Sequence, residues 1–175
     1  MSLFYFLLSE CHCTNDLFYR EDSNEEVLLG CYGSCVDIVI PKTVKEIADD
    51  AFWFTYYCEN EIRSVSFEEN SELISIYNFS FTHSKIESAD LSNCNKLSFL
   101  NGSIFDSCWY LETVKLPKNI TSIGDRCFYD CELKSIELPE SLTYIGDSAF
   151  SLCPFTNITL PKKINIYWKF FIYWL

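Results

Sequence analysis

The sequence predicts a solenoid of stacked coils in which each coil adds one strand to a parallel ladder. A 22-residue segment occurs twice in succession, as LETVKLPKNITSIGDRCFYDCE and then as LKSIELPESLTYIGDSAFSLCP. Less regular copies of the same pattern precede and follow this pair. A fixed period of this length is typical of repeat folds, whose units bury their apolar sides only against one another.

Six copies of the pattern align along the chain, at intervals of 22 to 27 residues. They begin at Cys35, Ile62, Ile86, Leu111, Leu133 and Phe155. The sixth copy lacks the Ile-Gly-Asp sequence of the two before it. We therefore predict an N-terminal cap over residues 1–34, repeats over 35–161 and a degenerate aromatic coil over 162–175.

Each part of a copy has a local physical reason. Apolar and polar residues alternate near its start, as in residues 114–116, which predicts a half-buried strand. A proline ends the strand in four copies because it has no N–H for the ladder. The pair Ile120 and Ile123 then turns the chain back, and Gly124 permits a tight or left-handed backbone. Residues 125–131 predict a short helical or 3₁₀ turn, with the aspartate as its N-cap and the phenylalanine as its buried anchor.

The copies resemble the BspA-like leucine-rich repeats, whose pattern is close to LxxIxLPxxLxxIGxxAFxxC. Residues 133–153 match this pattern nearly completely, and residues 35–58 and 111–131 match it well. The resemblance implies a leucine-rich repeat solenoid with no catalytic motif. It also implies a surface or secreted protein of a bacterium or a parasitic protist, with a role in adhesion or protein–protein contact.

The charge balance and the missing motifs limit the function further. The net charge is −12, whereas nucleic acids and anionic membranes bind clustered Lys and Arg, so we predict a protein partner and no nucleic acid. That charge forms either a partner-selective acidic face or an ordinary soluble surface. The sequence contains no GxSxG, HExxH, P-loop or GxGxxG motif, which predicts neither enzyme activity nor a cofactor.

The apolar ends of the chain leave membrane attachment open. The first eight residues, MSLFYFLL, follow no Lys or Arg, which favours a capping strand over a signal peptide. The last twelve, INIYWKFFIYWL, are too few to span a bilayer, which takes about 20 residues. They either cover the end of the core or anchor the chain. We expect a cell-surface or secreted location, with a cytoplasmic location as the alternative.

The ten cysteines are interpreted as structural. Cys58, Cys108, Cys131 and Cys153 recur near one place in their copies, which predicts a ladder of buried free thiols. Disulfides between rungs are the alternative, although parallel stacking gives poor geometry for them. A zinc site at residues 11–13 has little support because only one residue separates its two cysteines. We therefore predict no metal.

The predicted binding face is a strip of outward-facing strand residues. Its members are Asp37, Val39, Ser64, Ser66, Ser88, Asp90, Thr113, Lys115, Ser135, Glu137, Asn157 and Thr159. The alternative is a solvated sheet face that binds nothing. Aromatic residues and arginine, which dominate binding hot spots, are absent from the strip. A tight complex would need the loop aromatics Tyr56, Tyr57, Trp109, Tyr110 and Tyr129.

Four N-x-S/T sequons, at Asn78, Asn101, Asn119 and Asn157, permit glycosylation of a secreted chain. Three hypotheses follow for the whole protein. The first is an adhesive surface protein that contacts other proteins. The second is an intracellular scaffold with reduced cysteines. The third is a degenerate fragment of a longer repeat protein.

Overall fold

The computed structural model describes residues 11–14, 17–20, 24, 26–31, 36–53 and 62–166, with side chains at all but 11–14 and 165–166. These ranges contain the strands β1 (Cys11–Thr14), β2 (Leu17–Arg20), β3 (Val27–Cys31), β4 (Asp37–Ile40), β5 (Glu46–Ile47), β6 (Ser64–Phe67), β7 (Ser75–Ile76), β8 (Ser88–Asp90), β9 (Phe99–Leu100), β10 (Thr113–Lys115), β11 (Ser122–Ile123), β12 (Tyr144–Ile145) and β13 (Asn165–Ile166). Strands β1, β2 and β3 form an antiparallel meander, and β3 then pairs in parallel with β5.

The predicted parallel ladder is confirmed for the first four copies. Strands β4, β6, β8 and β10 pair in parallel, with Asp37, Ser64, Ser88 and Thr113 in one register. The strands expected in the last two copies do not form. Residues 135–138 and 157–160 keep an alternating burial pattern, but neither segment joins a sheet. The strand pattern is therefore present where the strand pairing is not.

A second ladder runs along another side of the coils, where the sequence predicted only a reversal of the chain. It consists of two-residue strands, with β5 and β7 in one sheet and β9, β11, β12 and β13 in another. Leu100, Ile123, Ile145 and Ile166 share one register in the latter sheet. Two residues are too few to show the alternation by which a strand is read from sequence.

The predicted helical or 3₁₀ turn is not confirmed, because the segment forms consecutive turns. Arg126 and Asp130 are left-handed, with φ of 53° and 55°. Alternate amides donate between coils: Arg126 N–H to Asp147 O at 2.9 Å and Phe128 N–H to Ala149 O at 2.8 Å. In a helix, those amides would instead donate to carbonyl groups of the same coil. Each left-handed residue costs about 1–2 kcal/mol, which these hydrogen bonds between coils help to offset.

The glycine and the aspartate of the repeated Gly-Asp sequence also make contacts between coils. The Asp125 carboxylate accepts the Asp147 N–H at 2.8 Å, where the sequence predicted a cap within its own turn. A Cβ on Gly146 would lie 2.2 Å from Asp125 Oδ1 and 2.6 Å from its backbone nitrogen. This glycine is therefore required by the close approach of the preceding coil, while the left-handed residue is Ser148, two positions later.

A stack of phenylalanine rings runs through the core along the solenoid axis. Phe52, Phe81, Phe105, Phe128 and Phe150 are buried, and successive centroids lie 4.7, 5.1, 5.4 and 5.3 Å apart with nearly parallel planes. Such pairs contribute about 0.5–1.5 kcal/mol beyond the apolar area that they bury. The prediction that Phe128 and Phe150 are buried anchors is confirmed.

Candidate binding surfaces

The predicted polar strip is continuous from Asp37 to Lys115, where its residues lie on the first ladder. Its polar side chains bond to one another: Ser64 Oγ donates to Asp37 Oδ1 at 2.5 Å, and Lys115 Nζ donates to Asp90 Oδ2 at 2.7 Å. Burial would raise the pKa of Asp90, but hydrogen bonds from Lys115 and Ser92 outweigh it and lower that pKa. In this part of the strip, several polar side chains therefore already hydrogen-bond to one another.

The remaining strip residues, Ser135, Glu137, Asn157 and Thr159, lie on the two segments that form no strand. They line a cleft of about 390 Å³ between residues 134–140 and 156–161, which we call the inter-coil cleft. Ile136, Leu138 and Leu160 supply its apolar lining. The strip is therefore two surfaces, a self-paired ladder and an open cleft.

Large aromatic side chains are exposed on the side of the molecule that carries the consecutive turns. Trp109 and Tyr110 are each 53% exposed, Trp53 is 47% exposed and Phe79 is 46% exposed. Together with His83 we call these residues the turn-side surface. Trp109 and Tyr110 belong to the predicted loop aromatics. Tyr129 is half-buried, and Tyr56 and Tyr57 lie outside the described residues.

The Trp109 ring is held in place by its neighbours. Its indole Nε1–H donates to Asp130 Oδ2 at 2.8 Å, and its ring lies 5.3 Å from the His83 ring. Asp130 belongs to the following coil and His83 to the preceding one. The exposed indole is thus fixed across three coils, so little side-chain entropy would be lost when a partner packs on it.

An ion pair supports the cleft beside these aromatics. The Arg126 guanidinium donates to both carboxylate oxygens of Asp106, at 2.8 and 3.2 Å, and lies 3.7 Å from the Tyr129 ring centroid. The hydrogen bond to Asp106 is the main reason why the pKa of Arg126 is raised. Both residues line a shallow cleft of about 380 Å³ together with Trp53 and Phe79. Planar, two-point pairing of this kind fixes geometry as well as charge.

The sequence-based prediction missed Trp53, Phe79 and His83. A signal for Phe79 is visible once the copies are aligned on the buried phenylalanine. Phe79 occupies the left-handed position that is Asp50, Ser103, Arg126 or Ser148 in other copies. Four of these five positions lie outside the core and Ser103 is buried, so an apolar residue in this column of polar ones indicates an exposed aromatic.

The described cysteines of the predicted ladder are buried and hydrogen-bond between coils. The thiols of Cys108, Cys131 and Cys153 donate to the carbonyls of Phe81, Phe105 and Phe128, at 3.0, 3.1 and 3.0 Å. All three are buried and free, as predicted, whereas Cys58 lies outside the described residues. Burial raises the pKa of Cys108 to about 12, which disfavours the thiolate needed by a nucleophile or a metal ligand.

The four sequon asparagines differ in exposure. Asn78 and Asn157 are exposed. The amide of Asn101 donates to Ile76 O, and that of Asn119 donates to Asn95 O, both at 2.6 Å. Two of the candidate glycosylation sites therefore use their amide nitrogen to join coils.

Comparison with known proteins identifies the repeat. The family described as BspA type leucine rich repeat region matches residues 24–153 and 98–173, with six copies. A comparison with the curated proteins finds no match. Among solved structures, a leucine-rich repeat protein from Bacteroides ovatus ATCC 8483 is 22% identical, with a TM-score of 0.72 over 86% of this chain and 41% of that one. The pneumococcal vaccine antigen PcpA is 14% identical, with a TM-score of 0.61 over 89% of this chain and 49% of that one.

A leucine rich cell surface protein from Faecalibacterium prausnitzii A2-165 is also similar, at 20% identity and a TM-score of 0.47 over 85% of this chain and 54% of that one. These three structures come from bacteria, and at such identities the first two show a shared fold. The chain spans about half the length of the structures that it matches. In the described residues, no helix is long and apolar enough to cross a membrane. The family model covers most of the sequence, and the chain belongs to the BspA-type leucine-rich repeat family.

Proposed function

We propose that this chain is a non-catalytic binding protein that contacts a protein partner at a cell surface through its turn-side surface. The observation that supports this most directly is the group of four large side chains, Trp53, Phe79, Trp109 and Tyr110, that stand about half exposed on one side of the molecule. Trp and Tyr are the residues that most often dominate binding energy at protein interfaces. Exposed apolar side chains beside charged ones are also typical of interaction sites.

The rigidity beneath this surface favours the same function. The turns that carry it bond to the next coil through alternate amides, and the phenylalanine stack packs directly below them. A preformed surface pays less ordering entropy on binding than a flexible one. The polar strip is a weaker candidate for the binding surface. A partner would first have to displace hydrogen bonds such as that between Lys115 and Asp90, so binding there would gain less free energy.

Family membership supports the surface location. BspA-type repeat proteins are typically cell-surface antigens, and PcpA is described as a vaccine antigen. The free buried thiols favour the second candidate, an intracellular scaffold, because disulfides are rare in reducing compartments. Both candidates use the same surface, so the location and the contact are tested separately.

Labelling intact producing cells with a membrane-impermeant reagent tests the location. We expect the chain to be labelled, and full protection would overturn the surface proposal in favour of the scaffold. For the contact, a photo-crosslinking amino acid replaces Trp109 in one variant and Thr143, which is exposed just before β12, in a matched control. We expect a discrete partner to crosslink at position 109 and none at 143. The reverse pattern would contradict the turn-side proposal.

A further inference from the structure

We infer that the inter-coil cleft binds an extended peptide segment of a partner protein, which hydrogen-bonds between the unpaired backbones of residues 134–138 and 156–160. This site is separate from the turn-side surface, and its argument does not depend on the proposed function. The occupant that the cleft favours has apolar residues at alternate positions and basic residues between them.

The first step is the backbone of the two walls. In the preceding copy, the amides of Glu112 and Thr113 donate to Glu87 O, at 2.9 and 3.3 Å. The equivalent amides are those of Lys134 and Ser135 in the next copy and those of Thr156 and Asn157 in the copy after it, and each pair faces the coil before it. Within the described part of the chain, no backbone hydrogen bond reaches residues 134–138 or 156–160. Two stretches of backbone with strand-like burial therefore line one cleft without a backbone partner among the described residues.

The second step is that the opening is confined to one side of the coils. On the second ladder the same two copies remain paired, with Tyr144 beside Asn165 and Ile145 beside Ile166. The coils are closed there and apart at the cleft, so the gap is a wedge within a folded solenoid rather than a frayed end. Its volume of about 390 Å³ lies within the range of about 300–1,000 Å³ found for ligand sites.

The third step is the chemistry of the lining. Ile136 is buried, and Leu138 and Leu160 are half-buried, so alternate side chains of an inserted strand would meet apolar surface. The outward positions carry two carboxylates, Glu137 and Glu140, against the single ammonium group of Lys134. A basic residue at the outward positions complements that balance.

The molecule itself contains an example of such a strand. Strand β10 places Val114 inward and Lys115 outward, and its lysine bonds the Asp90 carboxylate of the neighbouring strand at 2.7 Å. A segment like β10 in the cleft would set its lysine beside Glu137. Addition of a strand to an open edge is a general mode of peptide recognition, in which main-chain bonds give affinity and alternate side chains give specificity.

The probe is a capped peptide with the sequence of residues 111–117, LETVKLP, titrated into the ¹⁵N-labelled full chain and followed by NMR. We expect saturable shifts at the amides of residues 134–138 and 156–160. The control peptide has the same sequence with alternate amides N-methylated, which removes the donors along one of its two edges. We expect it to bind about tenfold more weakly or not at all, because each lost hydrogen bond weakens the complex.

Two variants of the chain locate the site. Asn157→Pro removes an amide that faces the cleft and has no partner in the described chain, so we expect the fold to persist and the peptide affinity to fall about tenfold. Glu137→Lys should weaken binding, whereas Glu132→Lys, an equal charge change outside the cleft lining, should not. Absence of saturable shifts, shifts centred elsewhere or equal binding of both peptides would overturn the inference. If Asn157→Pro fails to fold, the N-methyl comparison on the natural chain decides.

Discussion

The buried cysteines show what a repeated residue does in this fold. Each described thiol of the ladder donates to a carbonyl of the preceding coil, and Ser84 occupies the equivalent position one coil earlier, with its Oγ 3.6 Å from Cys108 Sγ. The position requires a small buried side chain that can bond the neighbouring coil. Burial raises the pKa of the Cys108 and Cys131 thiols, which keeps both in the neutral, unreactive form.

Alkaline pH should destabilise the chain through these thiols. The pKa of Cys108 is raised from 9.0 to about 12, so the folded thiol keeps its proton after the unfolded one has lost it. The stabilisation is complete below pH 9 and is lost as the pH rises from 9 towards 12. Each such thiol contributes a slope of about 1.4 kcal/mol per pH unit in that window. Urea unfolding at pH 7, 9, 10 and 11 measures it.

The matched variant is Cys108→Ser, because Ser84 shows that the ladder accepts a hydroxyl. Its free energy of unfolding should fall less steeply above pH 9 than that of the natural chain, by the slope of one thiol. The remaining titrating groups are the same in both chains, so they cancel in the comparison. If the free energies of unfolding of the two chains ran parallel at all pH values, the pKa of this thiol would be the same in the folded and unfolded chains.

Glycan attachment should distinguish the four sequons. When the chain is secreted by eukaryotic cells, we expect Asn78 and Asn157 to be modified, because both are exposed. Asn101 and Asn119 should remain unmodified once folded, because their amides are bonded between coils. Peptide mapping by mass spectrometry measures the occupancy at each site. Full occupancy at Asn119 would mean that modification precedes the closing of the coils.

A methyl group at Gly146 should be costly. Its Cβ would lie 2.2 Å from Asp125 Oδ1 and 2.6 Å from a backbone nitrogen that cannot move independently of its coil. We expect Gly146→Ala to lower the free energy of unfolding by about 1–3 kcal/mol, the usual range for overpacking. Gly102→Ala is the milder control, because its closest contact would be a single backbone oxygen at 3.0 Å. Chemical denaturation of both variants checks the order.

At the scale of elements, regular alternation identified the first ladder and missed the rest of the coil. The alternation around Val114 is long enough to be read, and its strand is present. The turn after Gly124 has helix-like spacing of its phenylalanine and cysteine, yet its amides bond to the next coil. Spacing within one copy does not show where its backbone bonds go, since those partners belong to another copy. That is why the helical turn and the second ladder were not predicted correctly.

Hydrogen exchange should separate elements that share one sequence pattern. Residues 113–115 and 135–137 have the same alternation, but only the first segment pairs with a neighbouring strand. We expect the amides of Thr113 and Lys115, which face β8, to be protected and those of Ser135 and Glu137 to exchange at least tenfold faster. Exchange measured by NMR on the unliganded chain tests this. Equal protection would show that a partner for residues 135–137 exists within the chain.

At the scale of the whole molecule, the fold could be predicted from the sequence more fully than the binding surface. The period of 22 residues and the family pattern were sufficient for the solenoid, because only stacking can bury the apolar side of every copy. The binding surface was less accessible. Exposure of Trp53 or Phe79 depends on which side of the coil a position faces, and that is set by the turns rather than by composition.

The continuous phenylalanine stack predicts that the described coils unfold as one unit. Phe105 packs between Phe81 and Phe128, whereas among the described rings Phe155 meets the last one of the stack alone, edge-on at 5.6 Å. Phe105→Ala should cost about 3–5 kcal/mol and should raise amide exchange in β4 and β11 alike. Phe155→Ala should cost less and affect mainly β12, because nearest-neighbour contacts carry the stability of a solenoid. If Phe105→Ala loosened only the coils beside it, the stack would be a row of local contacts and the two halves would unfold separately.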